Sequence, residues 1–200
     1  MKQAYYDSKS SVDQYIKMAE GYDGKELIQK LKHFLPTKSS VLELGTGPGT
    51  DWEILKADYD VIGSDFSKEF LDRLKEKFPE GHFLDLDASS LTTERKFDGI
   101  YSNKVLHHLT DEELRKSINR QSEILNEAGI VCHSFWKGEG SETFKGMFVN
   151  NHLEDEIIEL FGGFFEILLT ECYEEFEADD SILLLAKKKF SGYNPSIPSK

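Results

Sequence analysis

From residue 40 to residue 190, short apolar runs alternate with stretches of helical period. "SVLELG" (40–45) has the length and composition of a buried strand and ends on glycine. "WEILKADY" (52–59) follows as a helix, and "DVIGSDF" (60–66) as a second strand. "SKEFLDRLKEKF" (67–78) sets Phe70, Leu71, Leu74 and Phe78 on one helical face. "GHFLDLD" (81–87) and "FDGIYSN" (97–103) read as the third and fourth strands. "TDEELRKSINRQSEIL" (110–125) opens with Thr110 and Glu113 as a capping box and stripes Leu114, Ile118 and Leu125. Gly129 is expected to close that helix before a fifth strand, "IVCHSFW" (130–136). "LEDEIIELF" (153–161) is helical, and "FFEILLTECYEEF" and "SILLLAKKKF" are two final strands with no helix between them.

Strand–helix alternation implies parallel strands joined by crossover helices: a Rossmann-like, doubly wound α/β sheet of seven strands. Only "EADD" (177–180) separates the last two strands, which is too short for a parallel crossover, so they are expected to form an antiparallel hairpin at one edge. Two helices precede the core, the second opened by Asp23 and Glu26 and stopped by Pro36. The expectation is one domain over 1–200: an N-terminal helical cap (1–36), a core (37–190) and a flexible polar tail (191–200).

Charge and cysteine usage narrow the classes. The 24 Lys and Arg stand against 37 Asp and Glu, a net charge of −13 that opposes a nucleic-acid partner. The basic run "AKKKF" (186–190) reads as the solvated end of a strand. No apolar run approaches the about 18 residues of a membrane span, and the start lacks a signal-type apolar stretch. Cys132 and Cys172 make no disulfide framework, so a reduced, cytoplasmic protein is expected.

The chemistry begins at "VLELGTGPG" (41–49), where Gly45, Gly47 and Gly49 recur at alternate positions between a strand and a helix. Such a loop lets a ligand approach the backbone and turns N–H groups towards it. A dinucleotide site requires G-x-G-x-x-G, and position 50 is Thr; a P-loop requires Lys-Ser/Thr after the glycines, which is missing. Asp65 closes the second strand 20 residues after Gly45 (65 − 45), where an acid accepts hydrogen bonds from ribose hydroxyls. Asp87 and Ala88 follow the third strand, and Asn103 ends the fourth. All lie at carboxyl ends of parallel strands, the edge where open α/β sheets bind ligands.

With these residues in this order, residues 38–190 resemble the class I S-adenosylmethionine-dependent methyltransferases, especially the small-molecule branch with a "VLHHL"-like segment after the fourth strand. The resemblance implies S-adenosyl-L-methionine as cofactor and S-adenosyl-L-homocysteine as product. It implies that Gly45, Thr46, Gly47 and Gly49 form the cofactor loop, with Glu43 in its support. It assigns Asp65 to the ribose hydroxyls, Phe66 to a place near adenine, Asp87 and Ala88 to the adenine edge, and Ser102 and Asn103 to the methionine end. "SNKV" replaces the Asn/Asp-Pro-Pro-aromatic run of relatives that methylate exocyclic amines, which argues against such substrates. A small-molecule acceptor is the expectation, and a regulatory module that binds the cofactor without turnover is the alternative. A nicotinamide dehydrogenase and a transferase using decarboxylated adenosylmethionine are the lesser readings.

Methyl transfer from a sulfonium needs alignment and, for a protonated nucleophile, a base. His107 and His108 follow the fourth strand and are the candidates, either as base or as pocket wall; His133 is a weaker one near the acceptor. His33, His82 and His152 read as surface residues. No His, Cys and carboxylate set has zinc spacing, so no metal is expected, and Asp98 at its strand start reads as a structural cap. Tyr15, Met18 and Tyr22 share a face of the N-terminal cap and either line the acceptor pocket or merely dock the cap. "WKGEGSETFKGMFVNN" (136–151), with Phe144, reads as a glycine-hinged loop over the acceptor or a packed connection.

Overall fold

The computed structural model describes residues 4–190; the tail expected over 191–200 lies outside them. After a short 3-10 turn (Ala4–Asp7) come α1 (Lys9–Met18) and α2 (Lys25–Leu31). The core then runs β1 (Ser40–Leu44), α3 (Thr50–Leu55), β2 (Asp60–Asp65), α4 (Lys68–Lys77), β3 (His82–Asp85) and β4 (Phe97–Asn103). A second 3-10 turn (Leu106–His108) leads to α5 (Asp111–Ile124), β5 (Leu125–Trp136), β6 (Ser141–Phe144), β7 (Met147–Asn150), α6 (Glu154–Gly162), β8 (Phe165–Tyr173) and β9 (Ser181–Lys188).

Seven strands form one sheet in the order β3-β2-β1-β4-β5-β9-β8. The first five are parallel, and β9 runs antiparallel to both β5 and β8, as the short last connection requires. Alternate positions of the buried strands feed opposite faces. Leu42, Leu44 and Ile100 pack with Leu114, Ile118 and Phe161 on one side. Val41 and Tyr101 pack with Trp52, Leu55 and Leu74 on the other. Leu27, Ile28 and Leu31 of α2 belong to this second layer, so α2 is built into the sheet. The first 3-10 turn and α1 contribute Tyr6 and Val12 to a separate small cluster with Phe70 and Met147.

Two expectations change. The helix opened by Thr110 ends at Ile124 rather than at Gly129, and β5 starts at once. Lys96 of the β4 approach donates to the Glu123 carbonyl, and Leu125 pairs with Phe97 before an irregularity carries the register to Gly99 and Ile130. A long-range strand pairing thus overrides the local stop signal, with Ala128 at φ 62° absorbing the bend. The expected loop over 136–151 is largely a two-stranded hairpin, β6 with β7. Its turn, Lys145 and Gly146, has both φ positive, the geometry of a two-residue I′ connection.

Asp98 caps the sheet's far edge as expected: it accepts from the Ser40 N–H at 2.9 Å and from Asn126 Nδ2 at 2.7 Å. Thr110 and Glu113 complete their capping box, the Glu113 N–H donating to Thr110 Oγ1 and the Thr110 N–H to Glu113 Oε2 at 3.0 Å. Thr110→Ala should therefore lower unfolding free energy by about 1 kcal/mol in urea titration, with an unchanged m value.

Candidate active site

The loop from Gly45 to Gly49 is stitched to β2. The Thr46 N–H donates to the Ser64 carbonyl at 2.8 Å, and the Ser64 N–H donates to Thr46 Oγ1 at 2.9 Å. All three loop glycines have positive φ, for different reasons. A Cβ at Gly49 would sit 2.8 Å from Leu74 and from Phe78, so this glycine serves helix packing. At Gly47 the nearest atoms lie at 3.8 and 4.0 Å, the second belonging to Tyr15, so this glycine keeps space open. Gly45 is crowded by Val105 of the segment after β4.

Asp65 ends β2 nearly buried, with Oδ2 accepting from the Gly47 N–H at 3.0 Å and Oδ1 from the Ser67 N–H at 2.8 Å. Burial pushes its carboxyl up to about 6, and these N–H groups hold it back from rising further. Asp65, Phe66, Leu86 and Ala88 line a small cavity of about 60 Å³. This space shares Tyr6, Tyr15, Gly45, Lys104 and His108 with a larger cavity of about 400 Å³.

Glu43, Thr46, Asn103, His107, Tyr22 and Phe144 are among the residues lining the larger cavity. Glu43 is buried, and its Oε2 has no hydrogen-bond partner among the described residues. Burial, with the charge of Asp51, drives this carboxyl well above the usual carboxylate range. The Asn103 side chain is held at both ends, donating to Asp51 at 3.1 Å and accepting from Ser134 Oγ at 2.6 Å.

The two adjacent histidines differ. His108 Nδ1 donates to the Phe148 carbonyl at 2.7 Å, which leaves Nε2 to accept from the Tyr6 hydroxyl at 3.3 Å. It is a fixed, neutral strut between the first 3-10 turn and the β6–β7 hairpin. His107 is 2% exposed, and its Nδ1 has no partner among the described residues. Burial, then the nearby His108, Lys104 and His152, hold its pKa well below the ordinary value, so it is neutral at neutral pH.

Four expected site residues are not among those lining these two cavities. Gly49 faces α4, as its contacts require. Ser102 points away from Asn103 by strand alternation and pairs with His133 Nδ1 at 2.8 Å. His133 is fully buried, its Nε2 bound to Gln121 Oε1 at 2.8 Å, so it holds α5 to the sheet instead of facing an acceptor. Asp87 lies two residues beyond β3, and its Oδ1 accepts from the Ser89 N–H at 2.8 Å and Ser89 Oγ at 2.7 Å, organising a turn. His152, expected on the surface, is 4% exposed, because β7 brings it edge-on to Phe135.

Several lining residues were not visible in the pattern. Asp51 accepts from the Gly24 N–H at 2.7 Å, the Tyr101 hydroxyl at 2.7 Å and Asn103, joining α2, α3 and β4. In the sequence it is only an acid in a helix's first turn. Trp136 ends β5 on the same edge as Asn103, a position that strand order alone could have flagged. Glu175 and Phe176 arrive from the β8–β9 connection, because β8 runs in the same direction as the parallel strands and ends at their carboxyl edge. Tyr6 comes from the first 3-10 turn.

The sheet order, the reversed strand between its neighbours and the glycine loop opening onto a cavity at the carboxyl edge together define the class: a Rossmann-like methyltransferase fold. Residues 41–129 match the methyltransferase-domain family. A methyltransferase of Oceanobacillus iheyensis, named as uncharacterized, is 34% identical over 132 residues, covering 64% of this chain and 59% of that protein. The matches span about half the length of such curated relatives, 44% in one from Bacillus cytotoxicus. Among solved structures, an S-adenosylmethionine-dependent methyltransferase from Clostridium acetobutylicum superposes with TM-score 0.73 at 17% identity, covering 88% of this chain and 98% of that one. The 1,6-didemethyltoxoflavin-N1-methyltransferase of Burkholderia thailandensis, bound to 1,6-didemethyltoxoflavin and S-adenosylhomocysteine, superposes with TM-score 0.77 at 19% identity, covering 90% and 85%. The match to the methyltransferase-domain family over 41–129, just under half of the chain, and the shared fold make this chain similar to S-adenosylmethionine-dependent methyltransferases.

The loop glycines separate in a stability test. Gly49→Ala must both hold a left-handed φ of 82° and displace Leu74 or Phe78, and should cost roughly 2–4 kcal/mol in chemical denaturation. Gly47→Ala makes only ordinary van der Waals contacts and should cost about 1–2 kcal/mol, from backbone strain. Equal losses would show that the neighbours of Gly49 yield.

Proposed function

We propose that this chain transfers the methyl group of S-adenosylmethionine to a small-molecule acceptor. The observation that carries the reading is the pair of adjacent cavities around the glycine loop, one at the Asp65 carboxylate and one large enough for a second molecule, which share Tyr6, Tyr15, Gly45, Lys104 and His108. The residues fit the cofactor. Gly47 leaves its cradle open, each Asp65 oxygen has capacity for one further donor such as a ribose hydroxyl, and Glu43 offers a buried acid to an ammonium group. Phe66, Leu86 and Ala88 supply an apolar slot for a base.

When bound, that cofactor supplies a methyl group already activated by its sulfonium. The chain's residues then have three tasks. Asp65 and the loop orient the donor; Asn103, pinned between Asp51 and Ser134, fixes the floor of the acceptor room. Tyr6, Tyr15 and Met147 shield the junction of the two cavities from water. His107, neutral and lining the acceptor room, accepts the proton of a nucleophile that carries one. His108, with both ring nitrogens engaged, serves as wall. A module that binds the cofactor without turnover would show the same binding and no label transfer.

Titration calorimetry should show binding of S-adenosylhomocysteine and none of NAD. Asp65→Ala should weaken the first by about tenfold or more, the worth of one charge-assisted hydrogen bond. Hydroxyl donors require the carboxylate, so affinity should fall by about tenfold per pH unit as pH drops below about 6, where Asp65 protonates. The linkage on stability has the opposite sense: a carboxyl raised by burial favours the fold at low pH, and that contribution is lost as pH rises through about 6. An affinity flat in pH and unchanged in Asp65→Ala would place the acid outside the site.

The histidines divide by readout. His107→Gln should lower transfer of a tritium-labelled methyl group into a metabolite extract by about 10²–10⁴-fold while leaving S-adenosylhomocysteine affinity within a few-fold. His108→Ala should lower Tm by loosening Tyr6 and the hairpin, and affect transfer only in proportion. Full transfer in His107→Gln would mean that the acceptor proton leaves by another route.

A further inference from the structure

We infer that the acceptor is a protonated amine on a flat aromatic skeleton, received by an aromatic wall of Trp136, Phe176 and Tyr22 through an acid-lined vestibule. This deepens the methyltransferase reading and rests on it.

The wall is made of rings that a folded chain ordinarily buries. Trp136 and Phe176 stack with centroids 5.5 Å apart and planes 24° apart, and Tyr22 meets Phe176 at 4.8 Å. Phe176 is 56% exposed, Tyr22 45%, and Phe144, also lining the room, 51%. Trp136 backs the wall, its ring engaged by Phe176 and by the Lys104 ammonium at 3.6 Å, so the exposed surfaces of Phe176, Tyr22 and Phe144 are the ones that offer stacking and a seat for a cation.

Charge selects among aromatic ligands. Beside the acceptor room lies a second opening of about 300 Å³, sharing Tyr22, Asn103 and Glu175 with it. Its other charged lining residues are Asp23, Glu26, Glu171 and Glu174 against Lys30, and Lys30 is already paired with Glu171 at 2.5 Å. Inside the room, Glu43, Asp51 and Glu175 face one lysine, Lys104. The Lys104 ammonium is committed to the Phe135 carbonyl at 3.0 Å, Ser181 Oγ at 2.6 Å and Glu175 at 3.5 Å, beneath the Trp136 ring. A carboxylate or phosphate entering here meets repulsion; an ammonium meets carboxylates and π faces.

The wall is also built to stay in place. The Asp180 carboxylate accepts the backbone N–H groups of Glu175, Phe176 and Glu177, each at 2.9 Å, so one side chain shapes the segment that presents both the acid and the ring. Asp180 is thus a positioning residue for acceptor selection. In the transfer, the ammonium first sheds its proton to solvent water, with neutral His107 as the relay; its nitrogen lone pair then forms the N–C bond while the C–S pair leaves with the sulfur, now a neutral thioether. The product is a methylated ammonium.

The test uses the full chain saturated with S-adenosylhomocysteine and two probes matched in shape, 2-phenylethylamine and 3-phenylpropanoate. Calorimetry should show the amine binding about tenfold or more tighter than the acid. Phe176→Ala should abolish amine binding while leaving S-adenosylhomocysteine affinity unchanged. Asp180→Asn should weaken the amine about tenfold while S-adenosylhomocysteine affinity stays constant. Preference for the acid, equal affinities, or no binding of either probe at millimolar concentration overturns the inference. Failure of the methyltransferase reading is distinguishable, because it appears in the preceding S-adenosylhomocysteine titration, and it too removes the inference.

Discussion

The Gly47 N–H donates to the Asp65 carboxylate across 3.0 Å, and this contact, between the first loop and the end of the second strand, is the one around which the ligand edge is arranged. It requires the loop to pass close beside β2, which the reciprocal Thr46–Ser64 bonds enforce. It requires left-handed backbone at Gly45, Gly47 and Gly49, which only glycine adopts without strain. It also holds Asp65 in one orientation, with the carboxylate among the groups that line the small cavity.

A second acid performs the matching task on the other side of the loop. Asp51 gathers a backbone N–H from the start of α2, a phenol from the middle of β4 and an amide from its end. Through Asn103 and Ser134 the chain of bonds continues to β5 and the backbone N–H of Lys104. The larger cavity therefore has polar residues on one side in which each member orients the next, and aromatic residues on another. Such a network is costly if one member is lost, because each remaining group is already desolvated.

Much of this was legible in the residues. The strand–helix alternation, the hairpin implied by a four-residue gap, the Thr110 capping box and the position of Asp65 all rest on local signals: periodicity, capping chemistry and connection length. Gly45 and Gly47 line the cavities, and Tyr15, Tyr22 and Phe144 line the larger one. His133 and Ser102 show where local reading stops. A residue late in a strand faces either the site or the opposite helix layer, and which one depends on a register set by neighbouring strands. Gly129 shows the same limit, since pairing of Leu125 with Phe97 outweighs a glycine stop.

By itself the sequence determined the sheet class, the loop, the acid that follows β2 and the edge where the cavities open, because each is encoded within one element or its immediate flank. Only the tertiary structure decided which of two adjacent histidines is committed. His108 meets Phe148 and Tyr6, separated from it by 40 and 102 residues, while Nδ1 of His107 meets no partner among the described residues. The same holds for the larger cavity. Tyr22, Trp136 and Phe176 come from three distant segments, and their rings meet because β8 delivers its loop to the edge where β5 ends, a fact of strand direction that no single segment carries.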